Sequence, residues 1–405
     1  MNVTELQIDL AAIVANWRQL AGQNQKPSPP GRGLGEGPEP SPPGRGLGEG
    51  ASAEDLSKFA STPPAPPQST AAVLKSHAYG HGAPQVATAL HAAGCRHFFV
   101  AHPEEALAIR PLTPNSLLCV LNGLWPGHED DYIANNLQPA LGSLAEIDAW
   151  TAAARRHANR RHARPLPALL HIDTGMNRLG LSPAEIDVLA ANPARLAGIQ
   201  IAYIMTHLTS AERPEDPDNA AQRTRFAAAC DRLPPAPRSL ANSSGLFLGP
   251  HFASHLARPG AALYGVNPTP GHPNPMRPAA RLRARILQIR DLGPGDRVGY
   301  NGQWTAPRPS RIATISVGYA DGFPRALTNR AIAHFDGTAV PLVGRVSMDL
   351  ATFDVTQVPN ALPGDWLDLI GPANPVDDLA AQAGTNAYEI LTSLGRRYTR
   401  TYLPA

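Results

Sequence analysis

From Ala71 to about Gly265, short apolar runs alternate with alanine-rich stretches of helical length, and this alternation restricts the possible folds more than any other feature. The runs are AAVL, HFFVA, SLLCVLN, PALLHID, LAGIQIAYIMTH and RSLANSSG. Helices are expected near Gln85 to Ala93, Ser143 to Arg156, Pro183 to Ala191 and Asn219 to Leu233. Strands alternating with helices give roughly the number of units that a (β/α)8 barrel of the TIM type requires. After Pro278 the pattern changes to extended segments rich in β-branched residues, ARLRARILQIRDL, RIATISVGYADG, AVPLVGRVSMDLATFDV and GDWLDLIG, separated by Gly/Pro turns. The expectation is an α/β chain with a barrel over residues 1–270 and a mainly-β domain over 271–405. A length of 405 residues suits a barrel plus a smaller partner.

One tract does not fit either pattern. Between Lys26 and about Gln68 the decapeptide SPPGRGLGEG occurs twice, at Ser28 to Gly37 and Ser41 to Gly50. With few apolar side chains to offset its ordering entropy, it reads as a disordered or polyproline-like insertion. It falls between a first helix, Ala11 to Leu20, and the strand AAVL. Such helix-to-strand connections lie on the face of a barrel opposite its chemistry.

The formal net charge of +2 is spread along the chain, so no basic face suggests a nucleic-acid partner. Cys95, Cys119 and Cys230 are far apart and outside any CxxC spacing, and read as reduced thiols. The pairs His77/His81 and His102/Glu105 lack a third ligand in register, so no metal site is expected. No basic n-region opens the sequence and no run approaches a membrane span, so a soluble cytoplasmic protein is expected, with no membrane partner.

The strongest local signal is Ala71-Ala72-Val73-Leu74-Lys75-Ser76-His77-Ala78-Tyr79-Gly80-His81-Gly82. A lysine at the C-terminal end of a buried strand sits where a barrel keeps its catalytic groups. A partly desolvated amine there can condense with a carbonyl. This segment resembles the alanine racemases of the type III pyridoxal-phosphate fold, with their VxKxxAYGHG pattern around the cofactor lysine. DTGMNRLG (Asp173 to Gly180), Thr206-His207, Ala241-Asn242-Ser243-Ser244, RPGAALYG (Arg258 to Gly265), GYADGFPR (Gly318 to Arg325) and VGRVSMD (Val343 to Asp349) extend the resemblance in family order over nearly the whole chain outside the insertion.

The resemblance implies racemisation of alanine on pyridoxal 5'-phosphate, with Lys75 and Tyr300 as the two catalytic bases. Two are needed because the α-proton leaves from one face and returns to the other. It implies that His207 links Tyr300 to Arg258, which faces the cofactor's pyridine nitrogen, and that Tyr79, Ser243 and the backbones of Gly260 and Ala261 hold the phosphate, with Asn242 beside them. It implies that Arg178, assisted by the Met348 N–H, binds the substrate carboxylate, and that Tyr319 narrows the entrance. It further implies a homodimer whose neighbouring β domain completes each site.

Two positions depart from the family. Many members carry a lysine before DTGM that becomes carbamylated and orients the carboxylate-binding arginine; here His171 stands, leaving Asn177, an anion or water to steady Arg178. A second gate tyrosine near the C-terminus falls at Leu394. A broader amino-acid racemase or a decarboxylase of the same fold is the nearest rival reading, and GYADG with VGRVSMD favours the racemase. A non-catalytic pyridoxal-phosphate carrier would lack the hundred-odd residues after the barrel. The symmetric chemistry serves equally the supply of D-alanine for cell-wall peptidoglycan and its catabolism.

Overall fold

The computed structural model describes residues 2–25, 68–158 and 164–405; the repeated Pro/Gly tract up to Pro67 lies outside the described residues. The expected barrel is present. Parallel strands Ala72–Val73, His97–Val100, Leu117–Val120, Gln138–Leu141, Leu166–His171, Ile199–Met205 and Arg238–Ser239 follow one another in order through one sheet. The ring closes through Leu256–Ala257, which pairs in parallel with Ser69–Thr70, while the Arg258 N–H donates to the Ala241 carbonyl at 2.8 Å. Helices cover the outside, among them Leu10–Asn24, Ala83–Ala92, Leu144–Ala158, Pro183–Ala191 and Pro217–Arg232. Ser182 and Glu185 form a capping box at one of these helices, the local device that starts a helix just after a turn.

The second domain is a mixed, eight-stranded sheet built on Ala280–Leu292, with helices Val376–Ala383 and Ala387–Ser393 near its end. Alternation did not reveal that the segment Thr4–Asp9 belongs to this sheet. It lies antiparallel to Ala280–Leu292 and parallel to Thr399–Leu403, burying Leu6 and Ile8. The following helix returns to the barrel. Its Asn16, fully buried, donates to the carbonyls of Leu263 at 3.1 Å and Arg277 at 2.8 Å, and accepts from the Arg277 N–H at 2.8 Å. Those three bonds fix the passage from barrel to sheet, because a buried amide of this kind is stable only when its partners are in place.

The two sides of the inserted tract are joined directly. Asn24, the last residue of the first helix, donates to the Ser69 carbonyl at 2.9 Å and to the Ser254 carbonyl at 3.2 Å. Asn24 thus ties the end of the first helix to the start of the next strand. Replacing residues 26–67 by a linker of about six residues, a usual length for such connections, is expected to leave specific activity within twofold of the parent (~0.4 kcal/mol). Comparing the specific activities of the two purified proteins checks this.

Candidate active site

The strand ends converge on a cavity of about 460 Å³, large enough for a small cofactor with its substrate. Nine of the expected residues line it: Lys75, Tyr79, Arg178, His207, Asn242, Ser243, Arg258, Gly260 and Ala261. Lys75 follows the strand Ala72–Val73 and opens an unusual turn. Ser76, His77, Ala78 and Tyr79 all have positive φ, between 51° and 57°, so four consecutive side-chain-bearing residues run left-handed. Such a conformation costs about 1–2 kcal/mol per residue and persists only where its surroundings impose it. Glu105 is one constraint: one carboxylate oxygen accepts from the Ser76 N–H at 2.6 Å, the other from Ala101 at 2.8 Å and His102 at 3.2 Å. His81, fully buried, is another, its Nδ1 donating to the Tyr79 carbonyl at 2.8 Å. Gly80, at φ 81°, releases the chain from the turn. Sequence alone weighed Glu105 only as a metal ligand and passed over this role; among the described residues no cluster of three candidate metal ligands occurs.

The left-handed turn swings Tyr79 over the far side of the cavity, where its ring stacks on Tyr264 at 4.9 Å between centroids. Its hydroxyl lies against Gly260, where a β-carbon would collide with it, so a larger residue there would push the Tyr79 ring aside. Ser243 organises the same wall: its Oγ accepts from the N–H groups of Gly260 at 3.0 Å and Ala262 at 3.3 Å, leaving its own O–H free to donate. The Gly260 N–H is thus directed at Ser243, whereas Ala261 begins a 3-10 turn, Ala261–Tyr264, and has no acceptor within it. Asn242 shapes the wall from behind, accepting from the Gly245 N–H at 2.8 Å.

Three cations face this space. Arg258 is buried and donates to the Ser239 hydroxyl and the Thr206 carbonyl; burial holds its pKa down at about 10. Burial, then the neighbouring charge of Arg178, lowers the Lys75 amine below the ordinary lysine value. Burial, reinforced by Arg258, drives His207 to about 3 and leaves it neutral. Among the described residues, none of Lys75, Arg178 and Arg258 has a carboxylate within ion-pair distance. A cavity holding an easily deprotonated amine, a free hydroxyl and unneutralised cations fits a ligand that brings an aldehyde, a phosphate and a carboxylate.

His171 is buried on a smaller adjoining cavity of about 350 Å³, which also receives Arg178; burial and Arg258 hold its pKa at about 4. Asn177, at φ 54°, donates its N–H to Asp173 at 3.2 Å and its side chain to the Gly175 carbonyl at 3.3 Å, so it shapes the loop bearing Arg178. Two lining residues had no signal in the barrel pattern. Tyr388, which donates to Glu212, and Thr392 reach the cavity from the helix Ala387–Ser393 of the other domain. Leu394, at the end of that helix, is buried.

Tyr300, Tyr319 and Met348 stand outside this cavity. They are 68%, 45% and 55% exposed and lie along one surface of the sheet domain. The segment around Arg345 to Met348 connects them. Gly299 packs on the Arg345 backbone, and the Ala320 N–H donates to the Met348 carbonyl at 3.0 Å. Arg397 braces the group, donating to Asp321 at 2.6 Å and Asp349 at 2.7 Å.

Comparison with known proteins gives one consistent result. Residues 51–268 match the model of the alanine racemase N-terminal domain, and residues 279–402 that of the C-terminal domain. The alanine racemase of Acidiphilium cryptum is 50% identical over 400 residues, spanning 99% of both chains. The catabolic alanine racemase of Agrobacterium fabrum is 46% identical over 342 residues, 84% of this chain and 87% of the relative. Among solved structures, alanine racemase from Bartonella henselae, with covalently bound pyridoxal phosphate, superposes with a TM-score of 0.85 at 36% identity and full coverage of both chains. The biosynthetic alanine racemase of Pseudomonas aeruginosa gives 0.81 at 30% identity, again over both whole chains.

Proposed function

The chain belongs to the alanine racemase family, pyridoxal-phosphate-dependent enzymes that interconvert L- and D-alanine, and we propose that it does so with two proton-transferring groups drawn from two subunits. When bound, the cofactor supplies a sink for the electron pair left behind as the α-proton departs. Lys75 attaches the cofactor through its Nζ and exchanges a proton on one face of the substrate's α-carbon. Its depressed pKa suits that task, since an amine must be unprotonated to take a proton. Tyr300 exchanges the proton on the opposite face. A phenol with an ordinary pKa near 10 is a weak base at neutrality; the neutral ring of His207 can accept its hydrogen bond, with Arg258 behind. Arg178 and the Met348 N–H hold the substrate carboxylate. Tyr79, Ser243 and Ala261 face the phosphate, with Gly260 and Asn242 shaping that wall. Tyr319 limits the side chain to one the size of methyl. Arg258 would hold the cofactor's ring nitrogen, and a guanidinium there would leave that nitrogen without a full proton, which would disfavour transamination.

The observation that carries the two-subunit reading is the position of Tyr300, 68% exposed and outside its own chain's cavity, on a patch shared with Tyr319 and Met348. Large exposed side chains grouped in this way mark a surface that another molecule covers, and a two-fold homodimer would carry each patch onto the other chain's cavity.

Complementation tests it. Lys75→Ala and Tyr300→Phe proteins, each nearly inactive alone, are mixed under conditions that exchange subunits. Random pairing places one intact site in each mixed dimer, so activity is expected to return to about a quarter of the parent's. If Tyr300 served its own chain's cavity, every site would lack one base and the mixture would stay inactive.

A further inference from the structure

Gln222 projects inward from the helix Pro217–Arg232 and is fully buried. Its amide is saturated. Oε1 accepts from the Thr209 N–H at 2.8 Å and from the Thr209 hydroxyl at 2.9 Å, a hydroxyl shared with Asp218 at 3.0 Å, and Nε2 donates to the Thr174 hydroxyl and to the His207 carbonyl, each at 3.1 Å. The Thr174 hydroxyl in turn lies 2.8 Å from that of Thr206, whose carbonyl accepts from Arg258. One side chain thus joins two loops that follow different barrel strands: Asp173 to Gly180, which bears Arg178, and Thr206 to Thr209, which bears His207. A buried primary amide is costly unless all its bonds are made, and a hydrocarbon would fill the same space more cheaply. Its four bonds all go to residues of these loops.

We propose that Gln222 is a positioning residue for racemisation: it sets the separation between the arginine that holds the substrate carboxylate and the histidine that orients Tyr300. The inference rests on the roles given above to Arg178, His207 and Tyr300. Misplacement of such groups by as little as 1 Å costs about 100-fold in rate. The wall of Ser243, Gly260 and Tyr79, which faces the phosphate, makes no bond to Gln222.

The test compares Gln222→Leu, which removes all four bonds, and Gln222→Glu, which keeps the shape and the acceptors but loses the amide donors, with Thr209→Val, which removes only a hydroxyl. Expected for both Gln222 variants is a rise of about tenfold in KM for alanine, matched by an equal loss of affinity for propionate, a carboxylate of the same size, measured by calorimetry. The α-deuterium isotope effect should rise for one alanine enantiomer only, the one whose proton passes to Tyr300. Thr209→Val should shift the same quantities less. A variant with a lower melting temperature and fewer active sites, but parental KM, propionate affinity and isotope effects, would overturn the proposal and make Gln222 a packing residue. That outcome is distinguishable from failure of the two-subunit reading, which complementation decides separately.

Discussion

Lys75→Ala is expected to lower racemisation of either alanine enantiomer by at least about 10⁴-fold, a barrier increase of about 5.5 kcal/mol. The loss should be large because, in the proposed function, one side chain performs two acts: it attaches the cofactor and it moves a proton. Lys75→Arg separates chemistry from charge. It preserves a cation beside Arg178 and Glu105, yet a guanidinium neither condenses with an aldehyde nor gives up its proton near neutrality. Equal collapse in both variants, with loss of the cofactor's protein-bound visible absorbance, is the expected result. An arginine variant that retained a tenth of the parental rate would remove Lys75 from the proton path and leave it only an electrostatic part.

Acid should unfold the protein steeply, and the sign follows from three buried histidines. Burial is the leading cause at each, holding His81 and His171 at about 4 and His207 at about 3, against about 6.5 in an unfolded chain. Between those values the unfolded state binds protons that the native state excludes. Their contribution to stability is therefore complete above pH 6.5 and is lost progressively as the pH falls. With nearly three protons taken up on unfolding around pH 5.5, the unfolding free energy should drop by about 3–4 kcal/mol per pH unit. His171 has Arg258, Asp173 and Arg178 as its charged neighbours, and His171→Asn removes one titrating ring while keeping a polar side chain. Urea denaturation at pH 7, 6 and 5 should show a steep fall in midpoint for the parent and a slope about one third shallower for the variant. Midpoints that do not move between pH 6 and 5 would mean that the rings are protonated, or already exposed, in the native state.

The barrel was legible because each strand run and each helix is local, and because a lysine at a strand end is displayed in one continuous motif. The helix Pro183–Ala191 spans the expected residues, whereas the one expected near Asn219 begins two residues earlier, at Pro217 behind the cap Asp216. The left-handed turn after Lys75 was not legible. Nothing in Ser-His-Ala-Tyr favours that conformation, and Glu105, thirty residues along the chain, helps to impose it. The same limit hid Tyr388: its partner Glu212 is 176 positions away, and no periodicity connects a late helix of one domain with a loop of the other. Arg397 and Asp321, which brace the exposed patch, are a pair of the same long-range kind.

The placement of Thr4–Asp9 inside the second sheet bears on the order in which this molecule can be assembled. Arg283 meets Glu5 at 2.7 Å across a sequence separation of 278, and the strand's other neighbour, Thr399–Leu403, is made later still. During synthesis the ribosome therefore releases a strand carrying Leu6 and Ile8 that must wait, unpaired, while the whole barrel is translated. At about 5–20 residues per second, that wait is roughly 15–55 seconds. Through that interval its unpaired edge is open to pairing with a neighbouring nascent chain.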